Sequence, residues 1–282
     1  MAGTIDGNLE SQLTYNISSV NDTQFTLRPA RPEDSPAIYE LKKDAFGDSY
    51  LLYTIYQAPQ SVRYLEKLIA QETPQVAHYF YIVEINDRVV GYYHAVSRED
   101  DSFLNYIVVA QSFHHLGLGR VLLNHYEHKS REKGYPLMSL DVFEDNLVAR
   151  KWYTRHGYRQ ASFSFHFRVR VSPPVHEGLE LQYDDISLQK ALEAEQQWGF
   201  SKIDCTCGSG QLTLGFIAGA SCKLINYAGI SLATAMQSIA RHFHGTREIL
   251  IISGASEAPD SMNVISAHKS LRLVKPLKTV NS

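Results

Sequence analysis

Asn105-Tyr-Ile-Val-Val109, followed by Phe113-His-His-Leu-Gly-Leu-Gly119 and by apolar residues at Leu118, Val121, Leu122 and Tyr126, is the stretch that decides the fold. The first run reads as a strand, and the last four positions recur at helical spacing, so the two glycines stand where a strand-to-helix connection enters its helix. A helix starting there presents unpaired N–H groups and the positive end of its dipole, which suits a pyrophosphate. The pattern continues with a second strand, Leu137-Met-Ser-Leu-Asp-Val-Phe143, and a helix carrying Asn146, Ala149 and Tyr153. A lone Gly-x-Gly before a helix also serves ordinary tight turns, so its context has to carry the function.

That context is a set. Phe113-His114-x-x-Gly117-x-Gly119, the run Asn146-x-x-Ala149-x-x-x-Tyr153, and Gly157-Tyr158 together resemble the GNAT superfamily of acyl-CoA-dependent N-acyltransferases, over residues 24 to 171. His114 departs from the Arg or Gln usual in that family, and His115 from its frequent Gly. Anion binding there rests on backbone N–H groups and the helix dipole, so the physics survives the replacement.

The resemblance implies an α/β (α+β) fold, a mixed and mostly antiparallel sheet flanked by helices, with acetyl-CoA as cosubstrate and no metal. It places the backbone of Ile107, Val108 and Val109 along the pantetheine arm and at the oxyanion. His114, His115, Leu116, Gly117, Leu118, Gly119 and Arg120 would hold the pyrophosphate. Asn146 would contact the cofactor arm, with Ala149 giving room, and Tyr153 would protonate the CoA thiolate; a packed core tyrosine is the alternative. An alkylamine is mostly protonated at pH 7, so a base is needed. Asp141, alternating with Leu140 and Val142 on its strand, is the first candidate; Asp101, Glu99, His94 or a chain of waters remain open. Asp44, Asp48, Tyr50 and Tyr53 would line the acceptor site, or simply pack against the sheet.

Composition narrows the partners. At 282 residues the chain is long for one domain. A formal charge of −3, with no block of Lys or Arg, argues against nucleic acid or an anionic membrane as partner and leaves a small-molecule amine unrepelled. The first twenty residues lack a basic start and an apolar run, and no stretch approaches the roughly 18 apolar residues of a membrane span, so a cytoplasmic protein is expected. Asn16-Ile-Ser18 and Asn21-Asp-Thr23 read as chance in that setting. Cys205, Cys207 and Cys222 have no metal-ligand spacing and are expected as reduced thiols.

Along the chain, residues 1–23 form an extension in which Leu13, Tyr15 and Ile17 alternate as a short edge strand would. Residues 24–171 are the expected catalytic domain. In it Phe25–Arg28 reads as a strand, Ala37, Ile38, Leu41 and Ala45 as a helix face, and Tyr79–Ile85 and Val89–Ser97 as a hairpin about Asn86-Asp87. Ser172-Pro-Pro-Val-His-Glu-Gly178 is the linker, since consecutive prolines continue neither helix nor strand. Residues 179–282 repeat the order strand, helix, strands, helix, strand, and then a short helix over Met262–Ser270. The result is a tandem repeat. The second copy looks degenerate: no Gly-x-Gly precedes its helix at Leu232, and no tyrosine follows Tyr227.

A catalytic GNAT unit followed by a reduced one resembles the self-resistance acetyltransferases that disarm antibiotics of the zwittermicin, edeine or paenilamicin type. That resemblance implies a cationic antibiotic amine as acceptor. A polyamine, an amino acid, a peptide N-terminus, or a non-catalytic acyl-CoA-binding role are the alternatives, with a monomer or homodimer equally compatible.

Overall fold

Asn86 and Asp87 adopt positive φ, 49° and 59°, and close a two-residue hairpin between β3 (His78–Ile85) and β4 (Arg88–Ser97). Asparagine and aspartate enter that region more readily than other non-glycine residues, which is why the pair announces the turn. The computed structural model describes residues 15–20, 23–52, 54–70, 77–170, 179–219, 221–242, 248–253 and 263–277; the linker and Leu13 lie outside them.

The chain forms two compact units, Met1–Ala45 with Leu65–Met138 and Pro276–Ser282, and Phe46–Tyr64 with Ser139–Lys275. In the first, β1 (Tyr15–Val20), β2 (Thr23–Pro29), β3, β4 and β5 (Asp101–Val109) lie in chain order, and every pairing is antiparallel. The alternation at Tyr15 and Ile17 is the edge strand β1. Helix α1 (Ser35–Leu51) buries Ile38 and Leu41. Ala45, expected on the same face, is exposed, and Lys42 is instead the inward residue, 1% exposed. Helix α2 (Ser61–Ile69) buries Leu65, Leu68 and Ile69. Helix α3 (Leu118–Glu132) packs across β3, β4 and β5 through Leu118, Leu122, Leu123 and Tyr126.

Arg28 locks the start of this unit. Its guanidinium donates to both oxygens of Asp34 (2.8 and 3.0 Å) and of Glu84 (2.5 and 3.0 Å), and its side chain is 11% exposed. Arg28→Met leaves two carboxylates facing each other without their cation and is expected to cost about 3 kcal/mol. A urea midpoint lowered at constant slope checks this.

The second unit contains most of β6 (Leu137–Phe143). Its strand order is β6, β13 (Asn263–Pro276), β7 (Arg159–Arg170), β12 (Glu248–Ser253), β11 (Ser221–Ala228), β10 (Gly210–Ile217), β9 (Phe200–Cys207) and β8 (Leu181–Gln182). The β11–β12 pairing is parallel, whereas β7 runs antiparallel to both β12 and β13. Helices α4 (Leu147–Arg155), α5 (Asp185–Trp198) and α6 (Leu232–His242) complete it, over a core that includes Phe167, Val169, Leu214, Leu224, Ile239 and Ile249. The helix expected over Met262–Ser270 is absent: from Asn263 onward the segment belongs to β13, registered against β7 from Asn263 opposite Arg170 to Val274 opposite Arg159. Pairing with a long strand about a hundred residues away overrides a local pattern that suits either element.

The two copies share an irregularity. Asn105, the fifth residue of β5, is an extra residue opposite the His94–Ala95 step of β4. Ile225, fifth in β11, is likewise extra opposite Thr213–Leu214 of β10. A β-bulge at the same place in two strands, each leading to a helix, is the structural mark of the repeat. In the second copy the parallel ladder to β12 ends at Leu224, the residue before the bulge.

One buried and one half-buried imidazole make the fold acid-sensitive. Burial, reinforced by Lys129 and His128, holds His125 down at about 4, and burial with Lys223 does the same for His166, also at about 4. Both values lie below the unfolded value near 6.5, so the unfolded chain takes up protons first. Stability is therefore full above about pH 7, falls between about pH 6.5 and 4, and levels off below. For His125 the loss is of order 3 kcal/mol, and His125→Gln should flatten that limb of a stability-against-pH curve.

Candidate active site

Beyond Val109 the chain passes through a short 3-10 helix, Gln111–Leu116, to Gly117, whose φ of 72° starts α3. The N–H groups of Arg120 and Val121 return to the Gly117 carbonyl (3.0 and 3.3 Å). Those of Leu118 and Gly119 precede the first intrahelical bond and point out of the helix end. No side chain caps this end, and its first turn holds Arg120 and no acid. A cation against the positive pole of a helix is unfavourable unless an anion joins them. Leu116 and Leu118 are buried and anchor the turn, while His115 and Arg120 are exposed. His114 donates its Nε2–H to the Val109 carbonyl (2.8 Å), tying the loop back to the end of β5.

Helix α6 of the second copy begins differently. The Ser231 hydroxyl accepts the N–H of Thr234 (3.1 Å) and contacts its hydroxyl (2.8 Å). That end is closed by its own cap, and an anion has less to gain there.

The other expected residues divide between the units. Asp141, Asn146, Ala149, Tyr153 and Tyr50 belong to the second; Ile107–Val109, the loop and Asp44 belong to the first. Asn146 is the N-cap of α4, with its Oδ1 accepting the Ala149 N–H (3.0 Å), a bond that does not use its NH2 group. Ala149 is half-buried. Tyr153 is 8% exposed, its ring against Trp152 (4.9 Å between centroids) and Tyr158 (5.5 Å). Asp141 accepts the Arg272 fork with both oxygens (2.5 and 2.9 Å), so taking a proton would require opening a bidentate ion pair. The Tyr50 hydroxyl donates to Asp145 Oδ2 (3.0 Å), and its ring lies over Phe143 (4.6 Å) and near His268 (6.0 Å). Burial and the Asp145 carboxylate push its phenol pKa up. Asp44 is exposed; Tyr53 and the Asp48 side chain lie outside the described residues.

Among the other base candidates, Glu99 is exposed in the turn between β4 and β5, and Asp101 opens β5. His94 is 2% exposed and has both ring nitrogens engaged, Nδ1 with Asn105 Nδ2 (3.2 Å) and Nε2 with His78 Nδ1 (2.9 Å). Lys42 Nζ lies 3.0 Å from the centre of the Tyr106 ring beside it, and burial pushes its pKa well down. Sequence reasoning missed His78, His268 and Arg272. His78 opens β3, whereas the other two sit on β13, whose local pattern suits helix as well as strand.

The three cysteines are buried free thiols, and burial pushes Cys205 up to about 11 and Cys222 to about 12. Among the described residues no group of His, Cys, Asp and Glu is arranged to hold a metal, and no helix is long and apolar enough to cross a membrane.

Residues 37–158 match the model of the Acetyltransferase (GNAT) family. An uncharacterised N-acetyltransferase from the pepI 3' region of Lactobacillus delbrueckii subsp. lactis is 26% identical over 144 residues, 46% of this chain and 82% of that protein. Among solved structures, a tandem GNAT protein from the clavulanic acid biosynthesis pathway superposes with a TM-score of 0.65 at 12% identity, covering 92% of this chain and 99% of its own. A GCN5-related N-acetyltransferase from Sphaerobacter thermophilus gives 0.60 at 17% identity, covering 89% and 95%. At these identities the structures establish the fold, a tandem GNAT arrangement.

Proposed function

We propose that this chain, whose residues 37–158 match the model of the Acetyltransferase (GNAT) family, moves the acetyl group of acetyl-CoA to a primary amine of a cationic peptide or peptide-polyketide antibiotic, by direct attack within a ternary complex. Residues 24–171 are the catalytic copy in this reading, and 179–282 the copy without chemistry. The observation that carries it is the start of α3: an uncapped helix end with Gly117 in the left-handed region, two outward N–H groups and Arg120. Those features fit a pyrophosphate, whereas the Ser231-capped α6 does not.

The chemistry needs few parts. Held side by side, amine and thioester react without a covalent enzyme intermediate. Backbone N–H groups of Ile107–Val109 steady the oxyanion. The amine nitrogen bonds to the carbonyl carbon and gives up a proton to a base or a chain of waters, the C–S bond breaks with its electron pair on sulfur, and Tyr153 supplies the thiolate's proton. Asn146 orients the cofactor arm beside Ala149. On the acceptor side, the hydrogen-bonded pair of Tyr50 and Asp145 offers oxygen and negative charge to an ammonium group. N-acetylation deletes one positive charge, which disarms a molecule that uses that charge to hold its target. The work would be done in the cytoplasm.

The test is acetyl-CoA-dependent thiol release over cationic peptide antibiotics, aminoglycosides, polyamines, amino acids and short peptides. Turnover confined to one antibiotic, with a single acetyl mass added, is the expected result. Preference for a polyamine or amino acid overturns the antibiotic assignment, and silence across the panel overturns the transfer itself.

A further inference from the structure

The strand order places β13, the last strand of the second copy, between β6 and β7, which belong to the first. The Glu144 N–H donates to the Lys269 carbonyl (2.8 Å) and the Leu277 N–H to the Pro136 carbonyl (2.9 Å), so β13 runs antiparallel to β6. That register sets Arg272 opposite Asp141, and its guanidinium holds both carboxylate oxygens (2.5 and 2.9 Å). Lys269 Nζ holds Glu144 Oε1 (2.9 Å), and Arg168 of β7 holds both oxygens of Glu248 of β12 (2.5 and 2.8 Å). Asp145 differs from these three acids. Among the described residues it enters no ion pair; it is exposed, and it accepts the Tyr50 hydroxyl (3.0 Å).

Rings hold Tyr50 in place there. Its ring lies over Phe143 (4.6 Å between centroids) and beside His268 of β13 (6.0 Å), and those two rings are 5.9 Å apart. Asp141 and Phe143 are two residues apart on β6 and so share a face. The Asp141–Arg272 pair therefore lies on the face over which Tyr50 is stacked.

We infer that β13 sets the charge specificity of the acceptor site: Arg272, supplied by the second copy, cancels Asp141, so that Asp145 alone draws an ammonium group. The inference rests on the acyltransfer reading above, in which Tyr50 and Asp145 face the amine. Asp145 directly precedes Asn146, the N-cap of the helix that carries Tyr153, so the acceptor's charge is held next to the residue assigned to the cofactor arm. Two bare carboxylates on one face would favour a short diamine over a monoamine, because each charge would find its own partner. With Arg272 in place a second ammonium group meets a neutral pair and gains nothing. The acceptor class that follows is an amine whose other cationic groups stand away from the reacting nitrogen, and a short diamine has no advantage. The copy without chemistry thus contributes a strand, and with it a selective residue, to the copy that has it.

The experiment uses the full chain and the amine of the panel above with the highest kcat/KM. Butylamine and 1,4-diaminobutane, which share a stem and differ by one ammonium group, serve as competing ligands. In the wild type their inhibition constants should agree within about twofold. Arg272→Met should strengthen the diamine about threefold to fivefold relative to butylamine, the range of one partly exposed charge. Asp141→Asn/Arg272→Met should return that ratio to the wild-type value, which a packing defect would not do, since it weakens both ligands alike. Asp145→Asn should raise KM for the amine about tenfold and leave KM for acetyl-CoA within about twofold. An active Arg272→Met with the wild-type ratio, or Asp145→Asn with an unchanged amine KM, overturns the charge assignment alone. A wild type that acetylates no amine overturns acyl transfer and the acceptor site with it.

Discussion

Tyr153→Phe is expected to lower kcat about a hundredfold and to leave acetyl-CoA affinity within about twofold. The substitution removes one oxygen and keeps the ring, whose contacts with Trp152 and Tyr158 hold the packing of α4. A thiolate leaving without a proton donor is a poorer leaving group, so the loss falls on the step in which the C–S bond breaks. Single-turnover thiol release separates this from a binding defect. An unchanged rate would mean that the phenol serves packing alone.

Gly199→Val is expected to destabilise the chain by about 3 kcal/mol or more, the largest structural effect of any single exchange considered. Gly199 ends α5 in the left-handed region at φ 73°, donating to the Glu195 carbonyl (2.8 Å). A Cβ placed there would come within 2.7 Å of the Ala58 Cβ and of Gln60 Oε1. Gln60 is exposed and its side chain can swing away, but Ala58 is fully buried and has nowhere to go. Strain and overpacking therefore add. A melting temperature within about 2 °C of the wild type, with the chain intact, would contradict this.

What could be read beforehand was what local chemistry dictates. Asn86-Asp87 fixes a hairpin because few residue pairs accept its backbone, and Gly117 before an apolar 3.6-residue pattern fixes the start of α3. What could not be read depends on partners far along the chain. β13 is a strand because β7 lies beside it, and Arg272, on β13, meets Asp141 across 131 residues. The alternation around Asp141 was right about its strand and silent about the guanidinium waiting for it. The bulge at Asn105 adds one residue to a run that otherwise reads as regular, so no period revealed that Asn105 and Tyr106 share a face with His94. Lys42 shows the opposite failure: a lysine suggests an exposed helical position, yet here its nitrogen is buried over an aromatic ring.

Calorimetric titration of acetyl-CoA into the full chain is the most direct test that one copy holds the cosubstrate at α3. One molecule bound per chain, weakened at least tenfold by Arg120→Glu, is the expected result. Absence of binding would contradict the assignment of the α3 turn, and two molecules per chain would contradict a second copy closed by Ser231.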